Sequence, residues 1–191
     1  MTVRGSRVRS MTVQGTRALF AGLALLTLSA CGAQTRQHSL NASLNLQLGE
    51  SAPRVHTKTL ADVGGDVSRI TTYRQPDERM YLYSVDKALA THKPVLLEFA
   101  TPGHCTPCDE QLQVTKSLMN QYGDRVIFIH VDQYLNPQAY KAYRVMGDPW
   151  TFAIDKDGIV RFQRAGKMLY GEMDLALKMI APQVVAHAPA G

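Results

Sequence analysis

Residues 94–108 of this chain have the sequence PVLLEFATPGHCTPC, a short apolar run followed closely by two cysteines. The run over Pro94–Ala100 is typical of a strand that is buried on both faces. Residues 108–122 then place apolar side chains along one side, which predicts a helix. The stretch therefore predicts a strand that leads through a loop into a helix, with Cys105 and Cys108 where the helix opens.

Further elements are predicted on both sides of this stretch. A short helix is expected before it and a second buried strand, a short helix, a hairpin and an amphipathic helix after it. The first short helix covers residues 83–91, the buried strand 125–131 and the second short helix 137–143. The hairpin pairs residues 151–154 with 159–162 around a turn at 156–158, and the amphipathic helix covers 172–181. From the strand over 94–100 onward, the order β-α-β-α-β-β-α predicts an α/β sandwich with parallel and antiparallel strand pairs.

The N-terminus has the composition of a targeting signal. Four of the five net positive charges lie in residues 1–30, which contain no acidic residue. Ala18–Leu28 is nearly all apolar but has only 11 residues, too few to cross a hydrocarbon core of ~30 Å. Arginines before the run and small residues after it are typical of a secretory signal peptide, with Met11 as an alternative start. The rest of the chain has no large basic run, so nucleic acid is not an expected partner.

The end of the apolar run is more specific. Leu28-Ser29-Ala30-Cys31 resembles the bacterial lipoprotein signal, in which the cysteine becomes the lipid-bearing N-terminus of the mature chain. Acyl chains on Cys31 would hold the domain at a membrane surface, facing the periplasm or the exterior. An ordinary signal peptide with a chance cysteine is the alternative.

Three regions are predicted from these patterns. Residues 1–30 are expected to be the signal peptide, residues 31–75 a polar tether, and residues 76–185 the globular domain. Within the tether, residues 43–48 alternate between polar and apolar side chains, which fits either a strand or a stretch of linker.

The domain resembles the thioredoxin-like fold, and within it the TlpA-like thiol–disulfide oxidoreductases. A C-x-x-C motif that follows a strand and opens a helix carries the resemblance. Other matching segments fall in the same order along the chain: Val131-Asp132-Gln133, the segment 143–149 with its proline, the hairpin 150–158, and Gly166. The resemblance spans about residues 80–182 and implies a three-layer α/β sandwich with a mixed central sheet. It also implies exchange of disulfides with protein partners of the cell envelope, with no cofactor and no resident metal.

The resemblance assigns roles to the motif itself. Cys105 would be the exposed nucleophile, because a helix N-terminus favours the thiolate. Cys108, one turn further on, would be the resolving thiol. Thr106 and Pro107 would tune the redox potential, since Pro107 removes one N–H donor and stiffens the turn.

Four neighbours are assigned by the same resemblance. Pro149 is expected to be the cis-proline that faces the cysteines. Glu98 is expected near the position of a buried acid that moves a proton to or from Cys108, although a carboxylate pointing to water is the alternative. His104 replaces the usual tryptophan before the motif, and Asp148 replaces the usual apolar residue or threonine before the proline. A protonated His104 would stabilise the Cys105 thiolate, with an ordinary exposed loop residue as the alternative. Asp148 would have the opposite effect if it faces the sulfur.

The motif also leaves other functions open. The two cysteines could form a static structural disulfide or half of a metal site. The corresponding functions are a non-catalytic partner-binding module and a copper metallochaperone. Trp150 is expected to pack in the core beside the site.

Overall fold

A four-stranded sheet forms the centre of the computed structural model, which describes residues 46–181. Its strands are β1 (Val95–Phe99), β2 (Ile127–Val131), β3 (Trp150–Ile154) and β4 (Val160–Ala165). They lie in the order β2-β1-β3-β4. β1 pairs parallel with β2 and antiparallel with β3, and β3 and β4 form an antiparallel hairpin. The predicted mixed sheet is confirmed.

Helices cover both faces of this sheet. They are α1 (Val85–Ala90), α2 (Thr106–Tyr122), α3 (Pro137–Tyr143) and α4 (Tyr170–Ile180). The side chains of α2 and α4 join one buried cluster and those of α1 and α3 join another on the opposite side. The α/β sandwich predicted from the element order is therefore confirmed, with the three layers that the resemblance implies. Within residues 46–181, no helix has the length and apolar character that crossing a bilayer requires.

Alternation along β1 divides its side chains between the two layers. Val95, Leu97 and Phe99 belong to the cluster of α1 and α3, whereas Leu96 belongs to the cluster of α2 and α4. Successive side chains of a strand point to opposite faces, so Glu98 lies on the same face as Leu96. All five residues of β1 are buried, as a strand covered on both sides requires.

The segment before α1 differs from its prediction as a tether. Leu46 and Ala52 are buried in the cluster of α1 and α3, and Val63, Ile70 and Tyr73 in the cluster of α2 and α4. Residues 46–75 therefore pack as part of the globular domain, and its observed packing begins well before the predicted boundary at residue 76.

Backbone hydrogen bonds hold this segment against the hairpin. The N–H of Ala52 donates to the carbonyl of Gly158 at 2.8 Å, and the N–H of Gly49 donates to that of Val160 at 2.8 Å. Apart from two short 3₁₀ turns, Ala61–Val63 and Val67–Arg69, its backbone is irregular. Irregular backbone imposes no helical or strand period on the buried side chains, which is why the sequence pattern did not reveal them.

Other predictions for the N-terminal part lie outside the described residues. These are the signal peptide over 1–30, the lipidation site Cys31, and the tether over 31–45. For the alternating stretch 43–48, the described residues 46–48 form no strand; a turn begins at Leu48.

Candidate redox site

The two cysteines of the motif form a disulfide at the start of α2. Their sulfur atoms are 2.11 Å apart. Cys105 is the N-cap residue, and its Sγ accepts a hydrogen bond from the backbone N–H of Cys108 at 3.2 Å. Pro107 lies in the first turn of the helix, where its missing N–H breaks no helical hydrogen bond. The 17-residue helix α2 therefore begins directly after Cys105, with the sulfur of Cys105 at its N-terminus.

The two sulfurs differ in their access to solvent. Cys105 is half-buried, whereas Cys108 is fully buried in the cluster of α2 and α4. Thr106 and Pro107, between them, are exposed. Cys105 is therefore the sulfur that is accessible from solvent, and its role as the nucleophile stays a prediction.

The proline loop lies beside the end of β1 from which the redox loop departs. The Asp148–Pro149 peptide bond is cis, as predicted. Trp150, the next residue, pairs with Phe99 at the end of β1. The carbonyl of Pro149 accepts a hydrogen bond from the N–H of Gly166 at 2.8 Å. Pairing of β3 with β1 therefore brings Pro149 to the same end of the strands as Cys105, although 44 positions separate the two residues in the sequence.

Asp148 is held by a residue that the sequence analysis did not identify. The hydroxyl of Tyr140, on α3, donates to Oδ1 of Asp148 at 2.8 Å and lies 3.4 Å from Oγ1 of Thr101. Tyr140 thus contacts both the proline loop and the loop that leads to Cys105. Its side chain also packs edge-on against Phe99, with ring centroids 4.9 Å apart.

Glu98 is completely buried on the face of the sheet that carries Cys108. The hydroxyl of Thr151 donates to its Oε2 at 2.8 Å, while its Oε1 has no hydrogen-bond partner among the described residues. Burial raises the pKa of Glu98 to about 8; the Thr151 hydrogen bond opposes this rise and the negative charge of Asp148 adds to it. The alternative of a carboxylate pointing to water is therefore wrong, and the carboxyl group is mostly protonated at neutral pH.

His130 is a second buried ionisable residue on this face, and the sequence analysis missed it. It lies directly opposite Glu98 in the parallel register of β1 and β2. Its Nε2 is 2.9 Å from the carbonyl oxygen of Ala100, and its Nδ1 is 2.7 Å from the hydroxyl of Tyr81. A carbonyl only accepts, so Nε2 carries the proton and Tyr81 donates to Nδ1. Burial lowers the pKa of His130, which keeps the ring neutral. An imidazole in a strand that is otherwise apolar was the signal available in the sequence.

The loop before Cys105 is also fixed from the N-terminal segment. The backbone N–H of Thr72 donates to Oδ2 of Asp132 at 2.8 Å. The hydroxyl of Thr72 lies 2.7 Å from that oxygen and 2.7 Å from the carbonyl oxygen of Pro102. Asp132 and Pro102 are buried. These contacts tie the redox loop to the end of β2 through a residue of the predicted tether.

The remaining predicted neighbours have packing contacts. His104 is exposed, and its ring meets that of Tyr134 edge-on at 5.6 Å between centroids. Trp150 stacks on Phe152 at 6.2 Å, consistent with the predicted packing role. Within residues 46–181, no three His, Cys, Asp or Glu side chains come together in an arrangement that could hold a metal ion.

Comparison with known proteins agrees with this geometry. Residues 80–174 match the family model for thioredoxin. This part of the chain is a thioredoxin domain. Among curated proteins, chloroplastic thioredoxin X from Arabidopsis thaliana is 33% identical over 70 residues, which are 37% of this chain and 37% of that protein. The chain thus aligns with little more than a third of the length of this relative.

A solved structure shows the same fold. A candidate thiol:disulfide interchange protein DsbE from Chlorobium tepidum superposes with a TM-score of 0.53 at 16% identity, covering 71% of this chain and 99% of that one. A chloroplastic thioredoxin z gives a TM-score of 0.46 at 19% identity, covering 50% of this chain and 86% of that one. The first similarity supports the thioredoxin-like architecture.

Proposed function

We propose that this protein is an extracytoplasmic, membrane-tethered thiol–disulfide oxidoreductase of the TlpA-like branch, which exchanges disulfides with protein partners of the cell envelope. The observation that carries the proposal is the Cys105–Cys108 disulfide at the start of α2, with one sulfur accessible and the other buried. Pro149, at the same end of the central strands, completes the surface that a partner would contact.

The reaction needs only the two thiols and a partner disulfide. In the reduced protein, the Cys105 thiolate attacks one sulfur of the partner disulfide, and the other partner sulfur leaves as a thiolate. Cys108, as a thiolate, then attacks Cys105 and releases the second partner sulfur. The partner gains two electrons and becomes a dithiol, while the protein becomes the disulfide seen here. The same steps in reverse oxidise a partner dithiol.

The start of α2 supplies the electrostatic help for the first step. Oriented peptide groups place about half a positive charge at a helix N-terminus. The N–H of Cys108 already points at Sγ of Cys105 in the disulfide form. The same donor would stabilise a thiolate on Cys105, both as nucleophile and as leaving group.

Glu98 is suited to exchange a proton with Cys108. The second step requires the buried Cys108 thiol to lose its proton, and Glu98 is a buried ionisable group on the same face of the sheet. Its pKa of about 8 is close to the ordinary thiol value of about 8.5. Transfer between groups of similar pKa costs little free energy. At neutral pH the minor, deprotonated fraction of Glu98 is the form that can accept this proton. We assign Glu98 the role of proton acceptor for Cys108, directly or through one water molecule.

Trapping of a mixed disulfide tests the exchange chemistry. Cys108→Ala should accumulate covalent complexes with envelope proteins that dissociate on addition of dithiothreitol, because the resolving thiol is absent. Cys105→Ala should trap none through the redox site, since Cys108 is buried. The wild-type protein should catalyse insulin disulfide reduction in the presence of dithiothreitol. Absence of both trapping and insulin reduction would contradict the proposed function.

Membrane attachment has a separate test. The Leu28–Cys31 motif and the basic, apolar segment before it support lipidation at Cys31. Cys31→Ser should move the protein from the membrane fraction to the soluble fraction, whereas Cys105→Ser should leave it membrane-bound. An unchanged membrane fraction for Cys31→Ser would contradict the tether.

A further inference from the structure

A cavity of about 400 Å³ opens beside the redox pair. One wall comes from the N-terminal segment and the other from the redox loop and α2. Its lining residues are Tyr73, Arg74, Gln75, Gly103, Asp109 and Gln113. Gly103 lies two positions before Cys105, and Asp109 directly follows Cys108. The cavity therefore lies close to the redox pair, on the side of the N-terminal segment.

The wall formed by residues 73–75 is held in place from several directions. Thr72 is bound to Asp132 and reaches the carbonyl of Pro102, as described above. Nε2 of Gln113 donates to Oε1 of Gln75 at 3.1 Å, and Nζ of Lys116 donates to the carbonyl of Gln75 at 3.0 Å. These contacts fix the cavity before any partner arrives, which lowers the cost of binding.

This wall lies outside the segment that matches the thioredoxin family model. The family match begins at residue 80, whereas the wall comes from residues 73–75. Any selectivity that the wall confers therefore comes from residues outside the matched segment.

Charge suggests what the cavity accepts. Arg74 is exposed and makes no ion pair within the described part of the chain. Asp109, on the opposite wall, lies in the first turn of α2, where the helix dipole offsets part of its negative charge. Arg74 is the cationic side chain among the lining residues, and its planar donors suit a carboxylate.

We propose that this cavity is a subsite for the partner segment that flanks the exchanging cysteine, and that Arg74 selects partners with an acidic side chain there. The inference rests on the proposed function, because the subsite acts only when a partner sulfur engages Cys105. It names one substrate class: cysteine-containing segments with Asp or Glu near the cysteine.

Short peptides with one cysteine, activated as its 2-pyridyl disulfide, provide the probe. Attack of the reduced protein's Cys105 on the peptide sulfur releases thiopyridone, and Cys108 then displaces the peptide thiol from Cys105. One peptide disulfide is reduced while the protein forms its own disulfide, so a single turnover is followed by absorbance. A Glu, Gln or Lys residue is placed in turn at each of the three positions on either side of the cysteine.

The expected result is a faster second-order rate for Glu than for Lys at one or two of these positions, by about three- to fivefold, as fits a single exposed ion pair. Arg74→Glu should reverse this order and Arg74→Lys should retain part of it. Lys87→Glu is the matched control, since it makes the same charge change on the exposed side of α1 and should leave the ratio unchanged.

Two failures are distinguishable. Equal rates for the Glu, Gln and Lys peptides at every position, with exchange still occurring, would overturn the subsite and leave the proposed function intact. An unchanged ratio in Arg74→Glu would overturn the role of Arg74. No exchange with any peptide would contradict the proposed function instead.

Discussion

The two faces of the central sheet differ in kind. The face toward α1 and α3 is filled by apolar and aromatic side chains, with Phe99, Tyr143 and Phe152 in mutual ring contact. The face toward α2 and α4 also has a large apolar cluster, but it buries Glu98 and His130 on neighbouring strands. Cys108 lies on this second face.

Because side chains alternate along a strand, residues that stabilise the fold and residues that serve the redox site can lie on opposite faces of the same sheet. Phe99 and Glu98 are adjacent in β1, yet one joins an aromatic cluster and the other is a buried acid. Changes on the aromatic face should therefore alter mainly the free energy of unfolding. Changes on the other face should alter pH dependence and proton transfer as well.

The largest expected effect is on the aromatic face. Phe152→Ala removes a fully buried ring that contacts Phe99, Tyr143 and Trp150. We expect a loss of about 3–5 kcal/mol in the free energy of unfolding, measured by urea denaturation, because the cavity fills only partly. Phe152→Leu, the control, should cost less. If the folded fraction of Phe152→Ala lost its insulin-reducing activity altogether, the separation of the two faces would be wrong.

Removal of the buried imidazole should have the next largest effect. His130→Leu leaves the carbonyl of Ala100 without its side-chain donor and the hydroxyl of Tyr81 without an acceptor. Unpaired buried polar groups cost about 1–3 kcal/mol, which thermal or urea unfolding at pH 7 would detect. His130→Gln should recover part of this loss, because its amide can still donate. Equal stability of His130→Leu and wild type would show that the two hydrogen bonds contribute nothing.

Glu98 should make stability depend on pH. Its pKa is about 8 in the folded protein against an ordinary value of 4.5. Between these values the folded state holds a proton that the unfolded chain has released. The contribution is therefore complete below pH 4.5 and is lost as the pH rises towards 8, at up to about 1.4 kcal/mol per pH unit.

The oxidised protein gives the cleanest measurement of this slope, since its disulfide sulfurs do not titrate. Burial lowers the pKa of His130, so its contribution to stability rises slightly just above pH 6.5 and then levels off, equally in both proteins. Urea unfolding between pH 6.5 and 8 should therefore show stability falling in wild type and not falling in Glu98→Gln. The same variant should release trapped partners more slowly if Glu98 accepts the Cys108 proton. Identical pH profiles for the two proteins would rule out the raised pKa.

The smallest expected effect concerns Tyr140, which connects the aromatic face to the redox site. Tyr140→Phe removes the hydroxyl that donates to Asp148, and should cost about 1 kcal/mol of stability. Tyr143→Phe is the matched control on the same helix, because its hydroxyl donates at 3.0 Å to the carbonyl of Pro53 instead. Both variants should lose similar stability in urea. Only Tyr140→Phe should slow exchange with peptides, and equal exchange rates in the two variants would argue against a positioning role for Tyr140.

Most of the secondary structure followed from local patterns. The helix over 137–143 was predicted at its observed bounds, and β1, α2 and the hairpin were predicted within a few residues. The cis bond before Pro149 was predicted from the resemblance. The packing of residues 46–75 was not, because their buried side chains follow an irregular backbone and have no period.

The site residues that the sequence did not predict share one property: their contacts are with residues far away in the chain. Tyr81 meets His130 across 49 positions of sequence, and Thr72 meets Asp132 across 60. Neither pair leaves a local pattern, since each contact exists only after the sheet and its covering segment have assembled. His130 is the exception, because the sequence did contain a signal for it. It is an ionisable residue in an otherwise apolar strand, and its side chain lies on the same face of the sheet as that of Glu98.

The sequence by itself determined the position of the C-x-x-C pair and the order of strands and helices along the chain, because each depends on neighbours within a few residues. The cis-proline was expected from the family resemblance. Only the tertiary structure decided that Glu98 is buried, that His130 and Tyr140 hold the loops around the disulfide, and that residues 73–75 wall a cavity beside Cys105. Burial and charge proximity depend on which distant segments pack together. The shift in the pKa of Glu98 and the shape of the cavity therefore exist only in the folded chain.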